Sequence, residues 1–184
     1  MLSTSNLKSA QAATYFEKDD YYSQEEGPNH SRWVGEGAER LNLNGSVEQQ
    51  VFQQVLQGKS PDGQPLFSRK LDPNTRRAAT DFTFSAPKSV SVAALVQGDS
   101  RVTQAHHTAA DRALQVLEER YAQARVTTET GRRTVKTGNL IAAVFPHGTS
   151  REAEPQQHSH CMVMNATQLE DGRWYSFSND SAIM

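Results

Sequence analysis

Apolar positions recur along this chain at two periods, and each period predicts its own elements. Val47, Val51, Phe52, Val55 and Leu56 follow a helical spacing up to Gly58, with Ser46 and Gln49 reading as a capping box. Leu7, Ala10 and Ala13, with Ser5 or Asn6 as cap, predict a short helix ending near Tyr15 and Phe16. Ser85 as cap and Pro87 in the first turn predict a third helix through Val90, Val92, Ala93 and Val96. After Gly98-Asp99-Ser100, a longer helix is marked by Val102, Ala105, Ala109, Ala113, Leu114, Leu117 and Tyr121. The two-residue period appears in Asp81-Phe82-Thr83-Phe84, whose aromatic rings share one strand face, and the apolar run 140–145 is short enough for a buried strand. Segments 158–169 and 174–177 flank Glu170-Asp171-Gly172-Arg173, whose Asp-Gly pair predicts a tight hairpin, while 60–77 is rich in turn residues. Helices interspersed with strands predict an α+β fold: an antiparallel or mixed sheet forming a palm, with helices packed on one face.

The chain of 184 residues is long enough for one well-buried core, and nothing in it repeats. A formal charge of -2 gives no global attraction to nucleic acid, so any such binding must come from local clusters. The basic residues are unevenly spread. Arg69, Lys70, Arg76, Arg77 and Lys88 form one group and Arg125, Arg132, Arg133 and Lys136 another. A single cysteine, Cys161, excludes an intrachain disulfide framework. No apolar run suits a signal peptide or a membrane span, and the expectation is a cytoplasmic protein without membrane insertion.

Three histidines supply the candidate chemistry. His158 and His160 are two apart on an expected central strand and so present two imidazoles to one point. His147, before the connecting loop, supplies a third, giving a three-histidine metal site with open positions, the form of a catalytic rather than a structural site. Asp81 is a carboxylate on an otherwise apolar strand, suited to accept a hydrogen bond from a metal-bound histidine and fix its ring. Tyr15, Tyr21 and Tyr22 stand at an expected helix end and on the polar stretch after it, where a phenol is free to reach a site. Arg76, Arg77, Arg132 and Arg133 are candidate phosphate contacts. Trp33 reads as core.

Taken together, Ala13-Thr14-Tyr15-Phe16 with Asp20-Tyr21-Tyr22, the run Asp81-Phe82-Thr83-Phe84-Ser85-Ala86-Pro87-Lys88-Ser89-Val90-Ser91, Thr137-Gly138-Asn139-Leu140, and His147-Gly148-Thr149-Ser150-Arg151-Glu152 leading to Pro155-Gln156-Gln157-His158-Ser159-His160 resemble the MobF-class conjugative relaxases, the TrwC and TraI type, an HUH-endonuclease fold. The resemblance is collinear over nearly the whole chain. It implies a metal-dependent transesterification on single-stranded DNA at the nic site of a plasmid transfer origin. By position, Tyr15 matches the nucleophile that becomes linked to the 5′ phosphate, and Tyr21 or Tyr22 falls where a second catalytic tyrosine lies. His147, His158 and His160 match the metal triad. Asp81 matches the carboxylate that orients a metal histidine and can accept the tyrosine proton. Lys88 and Arg151, embedded in matching motifs, become the nearest candidates for DNA contact.

The resemblance further implies a divalent cofactor (magnesium, manganese or zinc), relaxosome accessory proteins and a conjugative coupling protein as partners, and a bacterial cytoplasmic location. Phe16 stands where relatives often carry another tyrosine, which sharpens the assignment to Tyr15. Relaxase domains of this class continue beyond this length, so residues 1–184 are expected to form a relaxase domain lacking its C-terminal DNA-wrapping part. The rival readings are a rolling-circle replication initiator, in which the tyrosine would follow the histidine pair, a catalytically incomplete single-strand-binding relaxosome component, and a metallohydrolase using water as nucleophile.

Overall fold

A computed structural model describes residues 1–8, 31–72, 74–128, 131–150 and 152–178. Its centre is a five-stranded sheet built from β1 (Leu2–Lys8), β2 (Arg32–Val34), β3 (Arg77–Ser85), β6 (Ala142–Thr149) and β7 (Pro155–Met164). The strand order is β1-β3-β7-β6-β2, and every neighbouring pair is antiparallel. The chain between β2 and β3 carries α1 (Glu36–Arg40) and α2 (Gln49–Leu56). Between β3 and β6 come α3 (Lys88–Ser91), which runs on as a π-helical turn over Val92–Val96, then α4 (Ser100–Tyr121) and the strands β4 (Gln123–Thr128) and β5 (Gly131–Lys136). The last strands are β8 (Thr167–Gln168), β9 (Trp174–Tyr175) and β10 (Phe177–Ser178).

Side-chain alternation divides the core into two layers. On one face Phe82, Val144, Cys161 and Val163 meet Leu114 and Leu117 of α4. On the other, Ala143, Phe145, Met162 and Met164 meet Phe52, Val55 and Leu56 of α2, with Trp33 packed beside Phe52 as a core residue. The long helix thus covers one face, as expected. The short helices add a second layer over part of the opposite face. Among the described residues that second layer does not include residues 147, 158 and 160, which lie half-buried beyond it on the same face.

Glu118, half-buried on α4, stitches the layers together. Its Oε1 accepts the backbone N–H of Glu36 at 2.8 Å and of Leu140 at 2.9 Å, satisfying the first turn of α1 and the approach to β6. Burial pushes its carboxyl pKa up, and the two backbone donors pull the other way. Asn139, fully buried, brackets the same approach: its Nδ2 donates to the carbonyls of Thr137 and Gln168, and its Oδ1 accepts the N–H of Gln168. The run 137–140 therefore serves the frame that aims β6.

Several local expectations are corrected. The segment expected to begin a helix at Ser5 or Asn6 is strand β1, paired residue by residue with β3, and 9–16 lie outside the described residues. Only Leu7 of β1 is buried, so backbone pairing rather than an apolar stripe decides its form. The cap of α2 is Glu48 and not Ser46, and that of α3 is Pro87 and not Ser85, neither with a side-chain bond. Ser85 instead closes β3, where its carbonyl accepts the amino group of Met1. The hairpin β4–β5 was not expected at all.

The close approach of α1 to residue 140 requires glycine. A Cβ on Gly37 would stand 2.7 Å from the Leu140 carbonyl oxygen and 2.9 Å from its carbon, both backbone atoms that cannot swing away. Gly37→Ala is expected to cost about 1–3 kcal/mol of stability, the range of an overpacked core. Urea unfolding checks this, and a midpoint equal to wild type would show that α1 can lift off without penalty.

Candidate metal centre and basic groove

Strand register assembles the three histidines. In the β6–β7 ladder His147 lies opposite His158, and in the β3–β7 ladder Thr83 lies opposite His160. Asp81, two residues before Thr83, points from the same face. A register shift between His147 and Thr149 bends the end of β6 beside the site, a device that re-aims side chains at strand ends. The ring centroids form a near-equilateral triangle: 5.3 Å for His147–His158, 5.3 Å for His147–His160 and 5.0 Å for His158–His160.

Those spacings suit one shared cation. With metal–nitrogen bonds of roughly 2.0–2.1 Å and tetrahedral directions, ring centroids lie roughly 5.2 Å apart. No group of three or more His, Cys, Asp or Glu side chains among the described residues is arranged to hold a metal ion as it stands, so the case for a shared cation rests on the ring spacings.

Hydrogen bonds select the ligating atoms. His160 Nδ1 lies 2.7 Å from Asp81 Oδ2 and 3.1 Å from Thr83 Oγ1. His158 Nδ1 lies 2.9 Å from the Gln156 carbonyl oxygen. Carboxylate and carbonyl oxygens only accept, so both Nδ1 atoms carry the proton and, in the neutral rings, both Nε2 atoms keep a lone pair for a metal. Asp81 is 2 % exposed, which makes its bond to His160 a buried, charge-assisted contact. Burial drives the His147 pKa down to about 4, with help from His160 and His158, and burial also lowers that of His158. Neutral imidazoles are the form that binds metal, so neither ring must shed a proton near neutral pH.

The remaining candidates divide between two ends of the sheet. Lys88, at the start of α3, lies at the histidine end, where its exposed Nζ donates to Glu154 Oε2 at 2.8 Å and to the Pro155 carbonyl at 3.3 Å. Arg76 and Arg77 lie at the other end. Ser85, the last residue of β3, is opposite His158, whereas Arg77 is its first. Eight steps along a strand span roughly 26 Å. There Arg76, Arg77 and Arg132 border a groove of about 880 Å³ together with Arg69, Lys70, Arg125 and Arg173, and Asp72 is the one carboxylate among the lining residues. Phe67, Trp174 and Tyr175 add aromatic faces. Burial, reinforced by Arg69 and Arg77, lowers the Arg76 pKa to about 10. Its guanidinium donates to the carbonyls of Leu56 and Asn165, which fix its direction without neutralising it. Arg133 follows Arg132 on the exposed strand β5 and so faces the opposite side of the hairpin.

Tyr15, Tyr21, Tyr22 and Arg151 lie outside the described residues. Cys161 is buried, and burial pushes its thiol pKa up, which fits an inert strand residue. Thr83, Arg125 and Arg173 were not singled out as site residues by the sequence. Thr83 was legible in principle, being two residues from Asp81 on the same face. The convergence of Arg125 and Arg173 with Arg76 was not, because those residues come from distant elements.

Comparison with known proteins decides the family. The TrwC relaxase family model matches residues 9–184. The chain belongs to the TrwC relaxase family. It is 46% identical over 182 residues to the multifunctional conjugation protein TraI of Escherichia coli and 44% identical to that of strain K12, covering 98% of this chain and 10% of either relative. The chain thus spans about a tenth of the length of the curated relatives it matches. Among solved structures, the conjugative relaxase TrwC in complex with oriT DNA in a metal-free form matches with a TM-score of 0.86 at 38% identity, over 100% of this chain and 62% of that one. A copper-bound TrwC complex with oriT DNA matches at 0.84 and 40% identity, over 100% of this chain and 64% of that one. The fold is therefore that of the TrwC relaxases, an antiparallel sheet with helices.

Asp81→Asn retains the size of the side chain and removes its charge. It is expected to weaken binding of a divalent ion about 10- to 100-fold, the usual cost of losing the partner of a metal-bound histidine. Calorimetric titration with manganese or zinc measures this, and unchanged affinity would remove Asp81 from the centre.

Proposed function

We propose that this chain nicks single-stranded DNA at a plasmid transfer origin and transfers the strand through a covalent phosphotyrosine. The observation that carries the reading is the triangle of three imidazoles, one of them buttressed by buried Asp81, in a chain of the relaxase family. Tyr15 is the nucleophile. Its phenolic oxygen attacks the scissile phosphorus, a P–O(Tyr) bond forms to the 5′ phosphate, and the bond to the 3′ oxygen breaks to release a 3′ hydroxyl. The phenolic proton passes to a base, for which Asp81 is the candidate carboxylate, its Oδ2 also bonded to His160, and the departing 3′ oxygen takes up a proton from water to become the hydroxyl. Tyr21 or Tyr22 supplies a second nucleophile. Energy retained in the phosphotyrosine lets a later 3′ hydroxyl reseal the strand without a nucleotide cofactor.

The bound cofactor is a divalent ion held by His147, His158 and His160, and it supplies positive charge that polarises the phosphate oxygens. Copper-bound and metal-bound TrwC structures support this reading. A structure of TrwC with a 27-mer DNA comprising the recognition hairpin and the cleavage site supports DNA as the substrate. Arg76, Arg77 and Arg132 in the groove, Lys88 and Arg133 outside it, and Arg151 contact phosphates. Residues 1–184 belong to a relaxase domain of the TrwC class. Accessory relaxosome proteins and a coupling protein are its partners in a bacterial cytoplasm. No helix among the described residues is long and apolar enough to cross a membrane.

Labelled single-stranded oligonucleotides from a candidate transfer origin, incubated with and without divalent metal and resolved under denaturing conditions, test the chemistry. A metal-dependent adduct mapping to Tyr15 is expected, absent in Tyr15→Phe and reduced at least 100-fold in His160→Ala. Cleaved DNA without adduct would establish a water-using nuclease instead. Binding without cleavage would leave a single-strand-binding component.

Phosphate contacts have a separate signature. Arg132→Ala is expected to weaken binding uniformly across sequences and to reduce the slope of log affinity against log salt by about 1. An unchanged slope in a fluorescence titration across salt concentrations would take Arg132 off the DNA path.

A further inference from the structure

The strand that carries two of the histidines is also held from behind. Ser159, between His158 and His160, turns to the opposite face of the sheet, where α4 packs, and is 1 % exposed. Its Oγ lies 3.1 Å from Nε2 of His106 on α4. His106 stands one turn before Ala110 on the stripe that continues through Leu114 and Leu117. Those residues meet an apolar surface that includes Phe82, Cys161 and Val163, while further along α4 Asp111 pairs with Arg32 of β2.

Two polar side chains on such an interface call for a reason. An apolar pair of similar shape would fill the space, and exchanging a bonded pair for apolar groups is nearly neutral for stability. What the pair provides is direction. Apolar contact between a helix and a strand tolerates sliding and rolling, whereas a directional, part-buried hydrogen bond restrains where β7 sits on α4. A roll of β7 at residue 159 swings His158 and His160 together, because both project from one face. A functional site tolerates displacements of only about 0.5 Å and 10–20°. On its other side His106 borders an open groove of about 850 Å³ lined by Leu2, Phe84, Val102 and Ala105, so tight packing does not hold the ring there.

We infer that His106, acting through Ser159, is a positioning residue of the histidine centre from the far side of the sheet. The inference rests on the reading of His147, His158 and His160 as metal ligands.

Cobalt(II) is the probe, because its visible absorption reports ligand geometry and its titration reports affinity. His106→Leu is expected to bind cobalt about tenfold more weakly, the low end for outer partners of metal ligands, with a shifted visible band. The melting temperature without metal should fall modestly in His106→Leu, which leaves the buried Ser159 hydroxyl without this partner, and stay close to wild type when both partners are made apolar in His106→Leu/Ser159→Ala. His106→Gln, whose amide both donates and accepts, should restore band and affinity. The double variant His106→Leu/Ser159→Ala should be no weaker than His106→Leu, since one interaction is removed once. A wild-type band and affinity in His106→Leu would overturn the inference, as would a loss that follows melting temperature and is not restored by glutamine. Wild-type protein that binds no cobalt would overturn the metal reading, and this inference with it.

Discussion

The antiparallel register of β3, β7 and β6 sets Ser85 and His147 opposite His158, and Thr83 and Phe145 opposite His160. Because side chains alternate at a period of two, a slip of β7 by one residue would turn both histidines into the α4 interface and bring Ser159 to the open face. What forbids the slip lies further along the same strand. Met162 and Met164 are packed under α2 while Cys161 and Val163 are packed under α4, so either layer alone fixes the parity. The hydrophobic core and the candidate metal centre are therefore two stretches of one ladder. Mutations that loosen the first are expected to be felt at the second.

Electrostatics follow from that placement. Three imidazoles drawn close together in a half-buried corner would repel one another as cations, and burial already disfavours the charged forms of His147 and His158. Neutral rings resolve the conflict without metal and leave lone pairs for one. Beside them stands a single buried carboxylate, Asp81, engaged with His160. A divalent cation added to neutral rings and one carboxylate leaves a net positive corner, which favours a phosphate diester over a neutral substrate. The Asp81–His160 bond thus sets ring orientation, and the Asp81 carboxylate offsets only part of an added cation's charge.

How much of this was legible before the structure depended on how local each signal was. His158 and His160 announce themselves through strand period alone, and Asp81 through a carboxylate on an apolar strand. The long helix α4 carries its apolar stripe in sequence. By contrast β1 was misread, since Leu7, Ala10 and Ala13 imitate helical spacing and an edge strand with one buried residue offers no alternation to correct it. The hairpin β4–β5 is exposed and polar over most of its length, so no pattern betrays it. The Ser159–His106 bond joins residues 53 apart in sequence, and nothing in either neighbourhood marks the other.

The separation of the basic groove from the histidine corner bears on the kind of substrate. The two lie at opposite ends of β3, roughly 26 Å apart at strand rise. A small phosphodiester could occupy the corner alone and would give the groove no part in the reaction. Seven cations with one carboxylate among the lining residues, around aromatic faces, instead suit a polyanion with bases to stack. At about 3.4 Å per nucleotide of a stacked strand, roughly eight nucleotides would bridge that distance. Under the proposed function a polymeric nucleic acid would engage both ends at once, its phosphates held in the groove while one distant phosphate is presented to the histidines. Chemistry and affinity would then be separated along one molecule. The groove would contribute affinity that is sensitive to salt, and the corner reactivity that is sensitive to metal.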